Sequence, residues 1–459
     1  MLYKIILANG GAMTQWGAHA YRVGTEENLD IQDPTTPESI KTQKKHIEPW
    51  LSAVFQSEHL GLLIGSGFTT AVALQAGAKA TDMNCDYTGF PYTAEIEAAA
   101  IQSAQAAGRG NPNIEDQIRT ATSLASGLKI LGNGDEYKQT KEAINLLLAK
   151  FIYSIAKTEK DIREAVEALS GRTPEAKSTS PEEAWKSIEP LVMLVSFLLS
   201  FSSRTATRER LHIFTTNYDR LIEYGGDLAG LHILDRFVGS LEPIFRSSRL
   251  DIDVHYNPPG IRGEPRYLEG VVRLTKLHGS LDWVYNNGFV RKVGLPFGAE
   301  EGHPAFVQAP LNSVMIYPNA AKDRETSEYP YVELFRDYSA AICRPNSALV
   351  VYGYGFGDEH INRTIMDMLT IPSTHLVIIA HGDADGRIQN FCNIVGRKSQ
   401  ISLLYGPHFG YMPALVEYYL PKPAIDKITM RQVELLKNRG WEHPQPGQDD
   451  SSNNDGADQ

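Results

Sequence analysis

Cysteine is scarce in this chain: Cys85, Cys343 and Cys392 are its three, set far apart in 459 residues. Such numbers and spacing make neither a disulfide framework nor a Cys-x-x-Cys zinc site. Long apolar runs are missing too, since the longest, Leu191 to Phe201, falls well short of the roughly 20 residues needed to span a bilayer. The start lacks the charged-then-apolar pattern of a signal peptide, so the expected compartment is the reducing cytoplasm. Excess positive charge is absent: 44 Lys and Arg against 55 Asp and Glu give a net charge of −11. That balance argues against a broad electrostatic grip on DNA or RNA. No Gly-Lys-Ser or Gly-Lys-Thr occurs, which removes a Walker-type nucleotide loop. No metal is expected either, because the spacing of His375, His381 and Asp383 fits no ligand pattern, and His255, His303 and His408 read as loop or core residues.

What is present is an alternation of short apolar runs with helical patterns. The length suggests two or three structural units. Tyr3–Ala8 reads as a first strand, followed by a helix from about Pro37 carrying Ile40, Ile47, Trp50, Leu51, Val54 and Phe55, with a kink or restart expected at Pro49. Gly61–Ile64, Leu211–Phe214, Val271–Leu277, Ser313–Ile316, Ala348–Tyr352 and Leu376–Ala380 read as strands, and Tyr331–Ile342 as a helix. From about residue 92 to 204 the pattern is helical, with Ile144, Leu147, Leu148, Phe151, Ile152 and Ile155 on one face; it is read as an insertion that covers a sheet edge or makes subunit contacts. Loops are expected at Gly171–Pro181 and Pro258–Gly260. Residues 444–459, polar and acidic, are expected to be disordered. Strands alternating with helices, with glycines at the strand exits, predict an α/β fold: a Rossmann-like, doubly wound parallel sheet with an α-helical insertion.

Four stretches at strand exits carry the chemistry. Phe214-Thr215-Thr216-Asn217-Tyr218-Asp219 places Asn217 and Asp219 just past a buried strand, where open α/β sheets collect ligands. The same two residue types also make ordinary turns through their own backbone, and both readings stay open. Gly65-Ser66-Gly67-Phe68-Thr69-Thr70 and Gly353-Tyr354-Gly355-Phe356-Gly357-Asp358 are glycine loops at strand-to-helix boundaries. Glycines there let backbone N–H groups approach a phosphate at a positive helix terminus. Asp358 reads as the N-cap of the helix carrying Ile361, Ile365, Met368 and Leu369. His278, at the end of a strand and followed by glycine, points into the same crevice or sits in the core.

Gly65-Ser66-Gly67, Thr216-Asn217-Tyr218-Asp219, Lys276-Leu277-His278-Gly279 and Gly353-x-Gly355-Phe356 occur in the order seen in the sirtuin superfamily. More closely, the chain resembles the sirtuin-like NADases of bacterial anti-phage defence encoded beside a HerA-type ATPase. Ile316-Tyr317-Pro318 and Gly355-Phe356-Gly357-Asp358-x-His360-Ile361-Asn362-Arg363 add to that likeness. The resemblance spans residues 61 to 370. It implies an N-terminal extension over 1–60 and an NAD-binding domain over 61–430. It implies NAD as substrate, a HerA-type ATPase as partner and a large homo-oligomeric assembly. It further implies Gly65, Ser66 and Gly67 on the pyrophosphate side, Asn217 and Asp219 at the nicotinamide and its ribose, His278 at that ribose, Gly353, Tyr354 and Gly355 at the adenosine end, and Thr216 among the NAD-binding residues.

The family's protein deacetylases carry a four-cysteine zinc module, which three cysteines cannot build, so plain hydrolysis of NAD is expected over deacylation. Nicotinamide is already cationic in NAD and leaves neutral, so cleavage needs no general acid. It needs a site that tolerates an oxocarbenium-like sugar and presents a water or hydroxyl to it. A histidine can take a proton from that group at neutral pH. An asparagine can hold water and ribose, and Asp219 either binds the carboxamide or balances positive charge. A zinc-free deacylase or ADP-ribosyl transferase, and a non-catalytic NAD- or ADP-ribose-sensing scaffold, are the alternatives.

Overall fold

The computed structural model describes residues 19–24, 27–80, 91–106, 112, 114–170, 190–204, 208–249, 253–256, 266–268, 270–300, 302–308, 313–315 and 329–422. The expected strand Tyr3–Ala8, the loops Gly171–Pro181 and Pro258–Gly260, Ile316–Pro318, Cys85 and the 444–459 tail lie outside them. In chain order the strands are β1 Ala20–Arg22, β2 Leu29–Asp30, β3 His59–Ile64, β4 Leu211–Thr215, β5 His232–Leu234, β6 Phe237–Val238, β7 Ile244–Phe245, β8 His255–Tyr256, β9 Arg266–Tyr267, β10 Val271–Lys276, β11 Gly279–Asn286, β12 Phe289–Lys292, β13 Ser313–Met315, β14 Ser347–Tyr352, β15 His375–Ala380 and β16 Ile401–Tyr405.

Nine of them form one sheet in the order β2-β1-β16-β15-β14-β3-β4-β10-β5. From β16 across to β5 every neighbouring pair is parallel. The central strands read as near-continuous apolar runs because both faces are covered. Leu62 and Ile64 face one core with Val350, Tyr352, Phe68 and Phe197. Leu63, between them, faces the other with Phe214, Leu349, Val351 and Tyr338, as the two-residue period of a strand requires.

The expectation of a wholly parallel sheet needs correction at one edge. β1 adds antiparallel to β16, and β2 antiparallel to β1, so the sheet is mixed and largely parallel. Antiparallel addition needs only a short turn and no crossover helix. At three and two residues these strands are too short to show a period in sequence.

The helix Pro37–Phe55 starts where Thr36 accepts a bond from the Ser39 amide and runs unbroken over Pro49, without a restart. It buries Ile47, Leu51 and Phe55 against the first core. Between β3 and β4 the chain forms helices Ser66–Ala76, Thr93–Ala106, Ile114–Leu131, Gly134–Ser170 and Pro190–Ser202. Phe151, Ile152 and Leu147 of the long helix pack with Ile118, Leu281, Leu295 and Tyr218. Tyr218 lies between the two candidate residues Asn217 and Asp219, so this helical region supports the turn itself and does more than cover an edge.

A smaller antiparallel sheet, β13-β11-β12-β7-β6, and the β8–β9 pair complete the strand inventory among the described residues.

Candidate functional site

The strand order reverses at β3. β4 and β10 lie on one side of it, and β14, β15 and β16 on the other. The crevice between the carboxyl ends of β3 and β14 is therefore the topological switch point, where ligands of open α/β sheets bind. Both glycine loops leave the sheet there.

The two loops touch through their backbones. Gly65 N donates to Tyr352 O at 3.1 Å and Gly67 N to Gly353 O at 2.9 Å. A Cβ at Gly65 would stand 2.5 Å from Gly353 O, and one at Gly67 would stand 2.7 Å from Gly353 Cα. Gly353 has φ +65°, and a Cβ there would meet Phe68 N at 2.6 Å. Contact between the loops is thus a sufficient reason for these glycines, apart from any approach to phosphate. Gly65→Ala is expected to destabilise the fold by about 1–3 kcal/mol, the usual cost of overpacking. Gly127→Ala, in the helix Ile114–Leu131 with nothing within 4 Å of the added carbon, should be neutral or stabilising by up to about 1 kcal/mol. Urea midpoints of the two variants check this, and equal midpoints would remove the loop-contact explanation.

Asn217 is 7 % exposed. Its Nδ2 donates to Gly65 O at 3.0 Å and to the Thr69 hydroxyl at 3.0 Å. A carbonyl only accepts, so the side-chain NH2 must face Gly65, which leaves Oδ1 as the acceptor available to a ligand. The Thr69 hydroxyl passes its own proton to Asp219 Oδ2 at 2.7 Å. Asp219 Oδ1 accepts from the Leu221 amide at 3.1 Å, where the helix Leu221–Leu228 begins. The turn-forming reading of this stretch holds: Asp219 makes the turn, and through Thr69 it also locks the amide of Asn217. Thr216 donates its backbone N–H to Ile64 O at 3.2 Å, which ties β4's exit to β3.

His278 follows β10, with the positive φ of Gly279, +86°, turning the chain into β11. It is 2 % exposed. Its ring lies 6.2 Å from that of Tyr218. Its Nε2 stands 3.7 Å from Asp358 Oδ2.

Asp358 occupies the N-cap position of the helix Glu359–Leu369, yet its side chain makes no capping bond. The expected N-cap position is thus borne out, while the carboxylate is turned to the histidine. Tyr354 is nearly buried, and its one phenolic proton lies between two acceptors, Asn362 Oδ1 at 3.0 Å and Asp358 O at 3.2 Å. Burial pushes its phenol well above the ordinary range, so it stays a donor within its own loop. Gly355 O accepts from Arg387 Nε at 2.8 Å. Ser66, at the start of the helix Ser66–Ala76, is exposed, and this helix terminus faces the crevice with its positive end.

Three supports were not singled out in the sequence. Thr69 was one letter in a glycine loop. Lys276, nearly buried, donates to Glu223 at 3.1 Å, to Tyr218 O at 3.4 Å and to Asp219 O, so a buried ammonium braces the turn. Glu159, from the helix Gly134–Ser170, accepts from the backbone and guanidinium of Arg220 and from the Gly298 amide. Nothing in the local sequence pairs residues 159 and 220; only the fold does.

Among the described residues, no group of three or more His, Cys, Asp and Glu is placed to hold a metal ion. No described helix is long and apolar enough to cross a membrane.

A largely parallel α/β sheet with polar residues gathered at its switch point is a Rossmann-like architecture. A family model described as a SIR2-like domain matches residues 211–396, which supports a sirtuin-like family for this chain. That span holds Asn217, Asp219, His278, Gly353 and Asp358, and it begins after the Gly65 loop. SIR2-like domains use NAD. No curated protein matches the chain.

Proposed function

We propose that the chain is an NAD glycohydrolase that releases nicotinamide and ADP-ribose, and that it depletes NAD in anti-phage defence as part of a homo-oligomeric assembly with a HerA-type ATPase. The observation that carries the catalytic part is the placement of Asn217 and His278 just past the paired Thr215 and Lys276, at the carboxyl ends of the neighbouring parallel strands β4 and β10. The site suits a pyrophosphate-linked substrate: a positive helix terminus lies at Ser66, and Asn217 Oδ1 is an acceptor that a ribose hydroxyl or a water can satisfy. In the reaction His278 takes a proton from a water, the electron pair left on that oxygen forms the new bond to the anomeric carbon of the ribose, and nicotinamide departs with the electrons of the broken C–N bond, so that the water's hydroxyl ends on ADP-ribose. Because the leaving group becomes neutral, proton removal is the only acid–base work required.

Defence and the ATPase partner rest on the resemblance of the motifs. Hydrolysis over deacylation rests on the cysteine count, since three cysteines cannot furnish a four-cysteine zinc module.

The test is nicotinamide release from NAD by the full chain, alone and with the neighbouring ATPase. Asn217→Ala is expected to reduce release by about 10²–10³-fold, the scale seen when a preorganised polar contact is removed, with an unchanged circular dichroism spectrum. An Asn217→Ala protein with full turnover would remove Asn217 from the mechanism. NAD binding without release in either setting would favour the sensing scaffold.

A further inference from the structure

We propose that Asp358 is a positioning residue for His278, fixing which ring nitrogen carries the proton and stabilising the imidazolium that forms; its catalytic consequence rests on the NADase reading above. An aspartate ahead of a helix ordinarily caps it through its carboxylate, and here the carboxylate forgoes that bond and faces Nε2 of a buried imidazole at 3.7 Å. Its backbone leaves it little freedom. The Asp358 amide donates to Tyr354 Oη at 3.3 Å, and Asp358 O accepts from the Asn362 amide at 3.0 Å. Asn362 Nδ2 in turn donates to Phe356 O at 2.9 Å, in a loop that turns at Gly353 and Phe356 through φ of +65° and +51°.

The histidine is held as firmly. The Leu277 amide donates to Thr215 O at 2.8 Å, and Tyr218 packs toward the ring. Two charges of the same region have partners of their own: Lys276 donates to Glu223 and the carbonyls of Tyr218 and Asp219, and Asp219 accepts from Thr69 and Leu221. A carboxylate opposite Nε2 favours the proton on that nitrogen. A separation of 3.7 Å is an ion-pair distance and longer than a hydrogen bond, and catalytic contacts of this kind commonly tighten when substrate binds. When His278 takes the proton of the attacking O–H, the new imidazolium meets a carboxylate already in place.

The experiment compares wild type with Asp358→Asn, which keeps shape and removes charge. The ring of His278 is titrated by NMR in the full chain, using His278→Gln to assign its signal, and nicotinamide release is followed against pH. Asp358→Asn is expected to lower the apparent pKa of the His278 ring by about 1 unit, as loss of a nearby opposite charge does. The ascending limb of kcat/KM should move down by the same amount, with kcat reduced about 10-fold or more. Asp358→Glu should restore most of the titration shift. Introduced into His278→Ala, Asp358→Asn should cost nothing further. An unchanged His278 titration, or a further loss of turnover in the His278→Ala background, would overturn the proposal, the latter by showing that Asp358 acts on the ligand directly. If Asp358→Asn does not fold, Asp358→Ser, a good residue at a helix start, carries the same test. The NMR arm needs no turnover, so wild type releasing no nicotinamide would count against the NADase reading and leave the pair to be decided by titration.

Discussion

His278→Ala is expected to lower kcat for nicotinamide release by about 10²–10⁴-fold, the usual contribution of one general base. On the proposed reading the imidazole is the proton acceptor; it stands at the exit of β10, beside the exit of β4 that carries Asn217. It is nearly buried, so water does not easily replace it. Because the proton moves only as the bond to nicotinamide breaks, the loss should fall on kcat, and KM should change little. The ring also fills space next to Tyr218, so part of any loss could be structural. His278→Gln separates the two: it occupies a similar volume and cannot serve as a base near neutral pH. Both variants should be equally slow if proton transfer matters. Should His278→Gln keep more than about a tenth of wild-type turnover, the general-base role would be lost.

Much of this arrangement was legible because strands that are buried on both faces must be apolar along their whole length. The runs Leu211–Phe214, Ala348–Tyr352 and Leu376–Ala380 announce themselves in this way inside the strands Leu211–Thr215, Ser347–Tyr352 and His375–Ala380, and the residues that follow each run are then known to lie at one edge of the sheet. His278 was visible for the same reason. Asp358 was visible only as a helix cap, because a sequence shows what stands beside it along the chain and not across the crevice. The glycines were read for what a ligand would ask of them. Their positions in the fold show a second demand: two loops 288 residues apart, by 353 − 65, meet at backbone distance. The edge strands β1 and β2 were too short to carry a period. The helical region offered an amphipathic face and nothing more, since the partner of each residue on that face is supplied by chain far away.

Glu159 shows what that last gap concealed, and Glu159→Ala is expected to destabilise the fold by about 3–5 kcal/mol, the cost of leaving one member of a buried ion pair without its partner. The side chain is 1 % exposed. Its two oxygens take the Arg220 amide at 2.8 Å, Arg220 Nε at 3.2 Å, Arg220 Nη2 at 2.5 Å and the Gly298 amide at 3.2 Å. Burial lowers the Arg220 guanidinium and Glu159 raises it again, with Asp282 and Glu223 adding less, so alanine would leave that cation, still bound to the Pro296 carbonyl at 2.9 Å, without its nearest carboxylate. Against a typical domain stability of about 5–15 kcal/mol, the loss is a large fraction. Arg220 directly follows Asp219, so the turn that locks Thr69 and Asn217 should loosen as well, and turnover should fall in protein that is still folded. Urea unfolding read beside nicotinamide release would separate these effects. Replacing both partners, Glu159→Leu with Arg220→Met, removes the buried charges together and should recover most of the urea midpoint, since such pairs are often replaceable by apolar residues. A midpoint unchanged in Glu159→Ala would mean that Arg220 finds water or another carboxylate, and that the long helix does not hold the turn through this pair.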